Sequence, residues 1–156
     1  MNQYEKLVQE ATEDGITIEA SYKFQSDRIK GLYCDGTVAL NENIETDTER
    51  ACALAEELGH YHTAVGNIID MQDIRNIKQE RKGRIWAYDK MIGLIGIIRA
   101  FKHHCLNKCD MADFLEVTEE FLQDALEYYK QKYGCFVSID HYIIYFEPYF
   151  AVVEMY

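Results

Sequence analysis

The feature that most constrains the fold is the pair Asp35-Gly36, which separates two short, mainly apolar runs. The first run extends from Gly31 to Cys34 and the second from Thr37 to Leu40. An Asp-Gly pair between strand-like runs is the strongest short-range signal for a β-hairpin. Residues 15–20 alternate between apolar and polar side chains and predict a further strand. The N-terminal part is therefore predicted to contain a small β-sheet.

A capped helix is predicted directly after this hairpin. Thr46-Asp-Thr-Glu49 matches the capping box, in which a hydroxyl and a carboxylate satisfy backbone N–H groups at a helix start. Apolar residues then recur at helical spacing, and Gly66 is predicted to end the helix near that position. The predicted apolar face consists of Ala51, Leu54, Ala55 and Leu58, with Tyr61 or His62 at its end.

Helical spacing also dominates the rest of the chain. It predicts a helix over 2–14, a long helix over about 74–104, and two helices over 111–115 and 118–133. Glycines within the long helix are expected to mark bends or close packing. The aromatic and β-branched tail after Gly134 is expected to add strands or a packed extension.

The predicted fold class is α+β and mainly helical. We expect a domain over 1–104 that contains the sheet, and a small helical appendix over 105–156 on which the aromatic tail packs. The chain has 156 residues, of which 48% are hydrophobic and 28% charged, so it can bury a core and remain soluble.

Charge and composition indicate which classes of partner and which cellular location to expect. A formal net charge of −11 opposes phosphate binding, so protein or small-molecule partners are favoured over nucleic acid. No segment is apolar enough for a membrane span or a signal peptide, which predicts a cytoplasmic protein. The five cysteines are odd in number and irregularly spaced, which indicates reduced thiols.

The segment Glu56-Glu57-Leu-Gly-His60 carries the clearest chemistry. Glu56 and His60 are four residues apart, so on a helix they point the same way and can share one metal ion. Glu57 follows Glu56 directly and occupies the second position of the pattern. In the His-Glu-x-x-His motif of zinc helices, this position holds the general base. A carboxylate is an accepted zinc ligand, although it makes the site harder and admits other divalent metals.

This segment and its surroundings resemble the ImmA/IrrE family of small metallopeptidases. Variants from phages and integrative elements carry Ala-Glu-Glu-Leu-Gly-His at this point, after a comparable hairpin and capped helix. The later run Glu80-Arg-Lys-Gly83-Arg-Ile-Trp86-Ala87 is similar to the family pattern Glu-x-x-Ala-x-x-Phe-Ala. Gly83 stands where the family usually has alanine, a difference expected mainly to affect helix stability.

The resemblance implies a zincin-like metal helix packed with the small sheet. It implies that Glu56, His60 and Glu80 hold Zn²⁺ or another divalent metal, and that Glu57 is the general base. The implied activity is metal-dependent cleavage of a specific protein, a transcriptional repressor of a mobile element. The alternative is a catalytically inactive binder of such a repressor, because Glu56 replaces the first histidine of the common motif.

Four other features have competing interpretations. His62 is interpreted as a surface residue or a support for the site. His103, His104, Cys105 and Cys109 lie close in sequence, but they lack a second ligand pair and favour ordinary helix-end roles. The helix pair over 111–133 has the length of a helix-turn-helix, yet its acidic charge favours protein docking. A basic cluster is either a solvated helix face or a patch for an acidic partner segment, and it comprises Arg75, Lys78, Arg81, Lys82 and Arg84.

Overall fold

The structure is a computed structural model that describes residues 1–63 and 74–156, with the backbone alone for residues 74–77. The chain forms two compact units, Met1–Lys90 and Met91–Tyr156. The sequence had placed the boundary between residues 104 and 105. The boundary falls earlier because the helix that begins at Gly93 packs against the next helix of the second unit.

The first unit contains a three-stranded sheet and its helices. Asn2 caps the first helix with both halves of a capping box, and Gly15 follows this helix with a φ of +82°. The predicted helix over 2–14 is thereby confirmed to within one residue at each end. The elements are α1 (Gln3–Glu13), β1 (Thr17–Tyr22), β2 (Gly31–Cys34), β3 (Thr37–Asn41), α2 (Asp47–Thr63) and α3 (Ile74–Met91).

The predicted hairpin is confirmed as β2 and β3. Asp35 and Gly36 both have positive φ, at 47° and 81°, as a tight hairpin turn requires. The strand order is β1-β3-β2, in which β1 runs parallel and β2 antiparallel to β3. Val38 and Leu40 on the central strand are completely buried, and α2 packs against β2 and β3. The sheet therefore supplies the surface on which the motif helix rests.

The start and the buried face of α2 agree with the sequence prediction. Thr46 Oγ1 accepts a hydrogen bond of 3.1 Å from the Glu49 N–H. The four predicted face residues from Ala51 to Leu58 are buried. The predicted end near Gly66 lies outside the described residues.

Asn41 is a buried polar residue at the end of β3, with only 4% of its surface exposed. Its Nδ2 donates to the carbonyl oxygens of Ile29, at 2.7 Å, and Ser26, at 3.3 Å. Its Oδ1 accepts from the Asn43 N–H at 3.1 Å. One side chain therefore fastens the connection between β1 and β2 to the central strand.

We expect Asn41→Asp to lower the free energy of unfolding by about 2–3 kcal/mol. A carboxylate has no hydrogen to donate, so it would face the carbonyl oxygens of Ser26 and Ile29, which are part-buried, without a hydrogen bond and would carry a charge. Urea denaturation would measure the change. Asn43→Asp is the matched control because Asn43 is exposed, and equal losses in both variants would contradict this account.

The second unit contains three helices and a second sheet among the described residues. The long helix predicted over 74–104 is interrupted at Gly93, whose φ of +62° ends α3 and begins the next helix. The elements are α4 (Gly93–Lys102), α5 (Lys108–Leu115), α6 (Glu119–Tyr133), β4 (Phe136–Ile139), β5 (Tyr142–Tyr145) and β6 (Ala151–Glu154).

The predicted helix pair is confirmed, and of the two expectations for the aromatic tail, added strands or a packed extension, the strands are correct. α5 begins three residues earlier than predicted because the Asn107 side chain accepts from the Asp110 N–H at 2.8 Å. Glu116, with a φ of 57°, makes the tight turn before Thr118 caps α6. The aromatic tail forms an antiparallel sheet of order β4-β5-β6. The second unit is therefore itself α+β.

The α+β class predicted from the sequence is confirmed, with two small sheets in place of one. None of the helices in the described ranges combines the length and the apolar character that a bilayer crossing requires.

Candidate metal centre

The candidate centre begins with Glu57, which lies where α2 meets the edge strand β2. Its Oε2 accepts a hydrogen bond of 2.8 Å from the Tyr33 backbone N–H. Gly31, two residues earlier on the same strand, leaves the space for this contact. A Cβ at Gly31 would lie 3.2 Å from the Glu57 Cγ and from the Ala39 carbonyl oxygen. The edge of the sheet thus fixes the orientation of the carboxyl group.

The environment of Glu57 raises the pKa of its carboxyl group to about 7. Burial is the main cause, since an ionised carboxylate loses hydration inside the protein. The hydrogen bond from Tyr33 opposes this rise in pKa, while the negative charges of Glu80 and Glu56 add to it. A carboxyl group with a pKa near 7 is matched to proton transfer at neutral pH.

His60 and Glu80 are brought together from two different helices. The His60 Nε2 and the Glu80 Oε2 lie 3.4 Å apart, and the two side chains are 17% and 42% exposed. Two ligands bonded at about 2.0–2.1 Å to one tetrahedral zinc ion are separated by about 3.4 Å. The pair therefore fits two positions of a zinc site.

The pair forms because α2 and α3 cross at two glycines. A Cβ at Gly59 would overlap the carbonyl oxygen of Gly83, so the two backbones are in direct contact. A Cβ at Gly83 would lie 2.7 Å from the His60 Nδ1. The expectation that glycine at position 83 mainly affects helix stability is therefore wrong. Alanine there would displace the His60 ring.

Glu56, the third predicted ligand, is not grouped with His60 and Glu80 in the described structure. In residues 1–63 and 74–156, no three His, Cys, Asp or Glu side chains are arranged to hold a metal ion. Glu56 is close enough to raise the pKa of Glu57, and it shares the α2 face of His60 by its spacing. The described centre thus consists of a His60–Glu80 pair with Glu57 beside it.

A second pair shows that distance alone does not define a site. His141 Nε2 and Glu154 Oε2, in the second unit, lie 3.3 Å apart. That histidine is more exposed, at 55%, and its partner Glu154 has a lowered pKa, chiefly because of a hydrogen bond from Tyr142. The first pair differs because a partly buried carboxyl group with a raised pKa, that of Glu57, accompanies it.

His62 does not join the His60–Glu80 pair. Its ring stacks on that of Trp86, with centroids 4.6 Å apart, and its Nε2 lies 3.9 Å from the Asp14 Oδ2. These contacts are those expected of a surface or supporting residue, as His62 was interpreted from the sequence.

The side chains of the His-Cys run from His103 to Cys109, which extends into the start of α5, contact several different partners. The His103 ring stacks on Phe114 with centroids 4.6 Å apart, and the Cys105 Sγ donates to the Asp110 carbonyl oxygen at 3.7 Å. A hydrogen bond with Glu119 is the first cause of a raised pKa at the Cys109 thiol. A raised thiol pKa disfavours the thiolate that binds zinc. These contacts favour the ordinary structural roles.

Sequence reasoning missed three parts of the centre: the Tyr33 N–H, Gly31 and the Gly59–Gly83 contact. The expectation that glycines in the long helix mark bends or close packing applies to Gly83, but it did not identify Gly59 as the partner. No local pattern identifies the backbone donor at Tyr33, because its partner is 24 residues away.

Comparison of the chain with protein-family models, with curated proteins and with solved structures finds no match.

Proposed function

We propose that the chain is a cytoplasmic, metal-dependent endopeptidase that cleaves a specific protein, a transcriptional repressor of a mobile element. The observation that carries the proposal is the position of Glu57, a carboxyl group with a pKa of about 7, next to the His60–Glu80 pair. The proposed class of substrate rests on the resemblance of the motifs to the ImmA/IrrE family. The metal helix would be zincin-like, with the small sheet packed against it.

His60 and Glu80 would hold the metal, and Glu56 would complete the ligand set from the same face of α2. Zinc, when bound, lowers the pKa of a coordinated water toward about 7 and polarises a substrate carbonyl group. The nitrogen and oxygen donors of this set are suited to zinc, although a set with two carboxylates also accepts harder divalent ions.

Glu57 would move the protons of the reaction. Its carboxylate would accept a proton from the attacking water and deliver it to the amine that leaves when the peptide bond breaks. The Tyr33 N–H, which bonds the Glu57 Oε2, would hold the carboxyl group in one orientation during both transfers. Burial of Glu57 would limit its contact with bulk water, which keeps its pKa close to neutral pH.

The second candidate function is a non-catalytic binder of the same kind of repressor. The observation that favours it is that Glu56 does not form a group of three with His60 and Glu80 in the described residues. A binder would use the same surface without metal or proton transfer.

Metal content separates the two functions. We expect wild-type protein, purified without chelator, to contain close to one zinc or other divalent ion per chain. His60→Ala and Glu80→Ala should each lose it, because a site with fewer than three protein ligands binds zinc weakly. Elemental analysis after dialysis measures the content.

His141→Ala is the matched control, since it removes a histidine from a His–Glu pair of nearly the same spacing in the other unit. This variant should keep the metal of the wild type. Wild-type protein that stays free of metal after zinc is added back would contradict the endopeptidase proposal and favour the binder.

A further inference from the structure

Four rings form a continuous row beside the candidate centre. We call Tyr33, Tyr61, His62 and Trp86 the aromatic row. The distances between successive ring centroids are 5.8 Å, 4.8 Å and 4.6 Å. Tyr61 is 36% exposed and the His62 side chain 35% exposed, so the row presents ring surface to solvent. Rings that are packed on one side and open on the other are well suited to contact a further apolar group.

The aromatic row begins at the candidate centre. The backbone N–H of Tyr33 bonds the Glu57 carboxylate, and Tyr61 directly follows His60 in α2. A polypeptide held with one peptide bond near Glu57 would therefore bring a neighbouring side chain onto these rings. Within the described ranges, the hydrogen bond of Glu57 and the His60–Glu80 pair do not use the Tyr61 ring, so this ring is not needed for those contacts.

Positive charge lies along the helix that supplies the last ring. Lys78, Lys82 and Arg84 on α3 are exposed, in a chain whose formal net charge is −11. Lys82 precedes Trp86 by four residues and Arg84 follows Glu80 by four, so each shares a face of α3 with that residue. Asp14, 3.9 Å from His62, places one negative charge at the row. The balance of charge on α3 favours an anionic segment.

We propose that the aromatic row binds a large apolar or aromatic side chain of the substrate polypeptide, and that Lys82 and Arg84 bind acidic residues next to it. This inference rests on the proposed function, because it names the kind of segment that the centre would cleave. It resolves the two interpretations of the basic cluster in favour of a patch for an acidic partner segment. The side chain of Arg75, also assigned to that cluster, lies outside those described.

Trp86 allows a direct test because it is the only tryptophan of the chain. The probe is a short synthetic peptide with one phenylalanine between aspartates, and the protein is metal-free Glu57→Gln, in which hydrolysis cannot occur. We expect a saturable change in Trp86 emission as the peptide is added. Replacing the phenylalanine of the peptide with alanine should weaken binding about tenfold, as expected for the loss of an aromatic contact.

Four protein variants, each made in the Glu57→Gln chain, locate the contact. Tyr61→Ala should weaken binding about tenfold, whereas Tyr61→Phe should restore it because the ring is retained. Tyr149→Ala, which removes a 75% exposed tyrosine from the other unit, should leave binding unchanged. Lys82→Gln combined with Arg84→Gln should weaken binding and reduce its dependence on salt.

The proposal is overturned by any of three results: no saturable change in emission, equal affinity for the phenylalanine and alanine peptides, or no effect of Tyr61→Ala. This assay needs neither metal nor cleavage, so the peptide-binding result can be interpreted even if the endopeptidase proposal fails. Conversely, metal content can be normal while the row fails to bind the peptide.

Discussion

Replacing Glu57 by glutamine is expected to raise the free energy of unfolding of the metal-free protein at pH 8 by roughly 3 kcal/mol relative to wild type. This figure is what remains after the difference between variant and wild type at pH 4 is subtracted. The pKa of Glu57 is raised from 4.5 to about 7, so the folded state holds this proton more tightly than the unfolded chain. The stability that the protonated form contributes is fully present below about pH 4.5. It is lost as the pH rises through about 7. Glutamine remains neutral and avoids this loss.

Urea denaturation of both proteins at several pH values between 4 and 8 would measure the effect. Glu45→Gln serves as control because Glu45 is exposed, so its difference from wild type should remain nearly constant over the same range. A difference between Glu57→Gln and wild type that does not grow with pH would show that burial does not disfavour the charged carboxylate. The stabilised variant should also be unable to hydrolyse the substrate if Glu57 is the general base.

Gly59→Ala is expected to lower the free energy of unfolding by about 3 kcal/mol, at the upper end of the cost of overpacking. Its Cβ would overlap the Gly83 carbonyl oxygen, which belongs to the backbone of another helix and cannot rotate away. α2 and α3 would have to separate, and His60 would then move away from Glu80. We therefore expect this variant also to lose bound metal, if the wild type contains it, in the same elemental analysis.

The control for this substitution is Gly96→Ala. Gly96 is also a buried helical glycine, but its added Cβ would meet the Leu115 Cδ2 at 3.3 Å, the tip of a flexible side chain. The gain in helix propensity, about 1 kcal/mol, should largely offset that contact. If the free energy of unfolding changes equally in the two variants, the contact between α2 and α3 is not the cause of the loss.

Local signals predicted most of the secondary structure. The Asp35-Gly36 turn requires two positive φ angles. Aspartate tolerates a positive φ, and glycine adopts one readily because it has no side chain. The caps at Thr46 and Thr118 bond to backbone N–H groups three residues away, so they can be recognised within one turn of helix. The interruption at Gly93 depends on which glycine adopts a positive φ, and sequence spacing does not specify this.

The centre was predictable only in part, for a related reason. Helical spacing fixes the direction in which a side chain leaves the backbone, and that direction takes Glu57 toward β2 and His60 toward Glu80. It does not fix the position of a carboxylate at the end of a flexible side chain. Glu56 accordingly shares the face of His60 without joining His60 and Glu80 in a group of three within the described residues.

The contacts that position the centre join residues far apart in the sequence. Tyr33 donates to a carboxylate 24 residues later, and Gly59 meets Gly83 across two helices. Such contacts depend on how the elements pack, which neither a capping pattern nor a hydrophobic period encodes. The resemblance of the Glu80 segment to a family pattern was the one sequence signal that linked the two helices.

The point where Gly59 and Gly83 touch would be the pivot for any rotation of α3 against α2. If α3 turned by about 10° about it, an atom would move in proportion to its distance from that point. Glu80 is three residues away, about 4.5 Å along the axis, and its backbone would shift by less than about 1 Å. Lys90, whose Nζ lies 2.7 Å from the Glu10 Oε2, is seven residues away and would shift by about 2 Å. Such a rotation would therefore move the Lys90 backbone about twice as far as the Glu80 backbone, so the spacing of His60 and Glu80 changes less than that of Lys90 and Glu10.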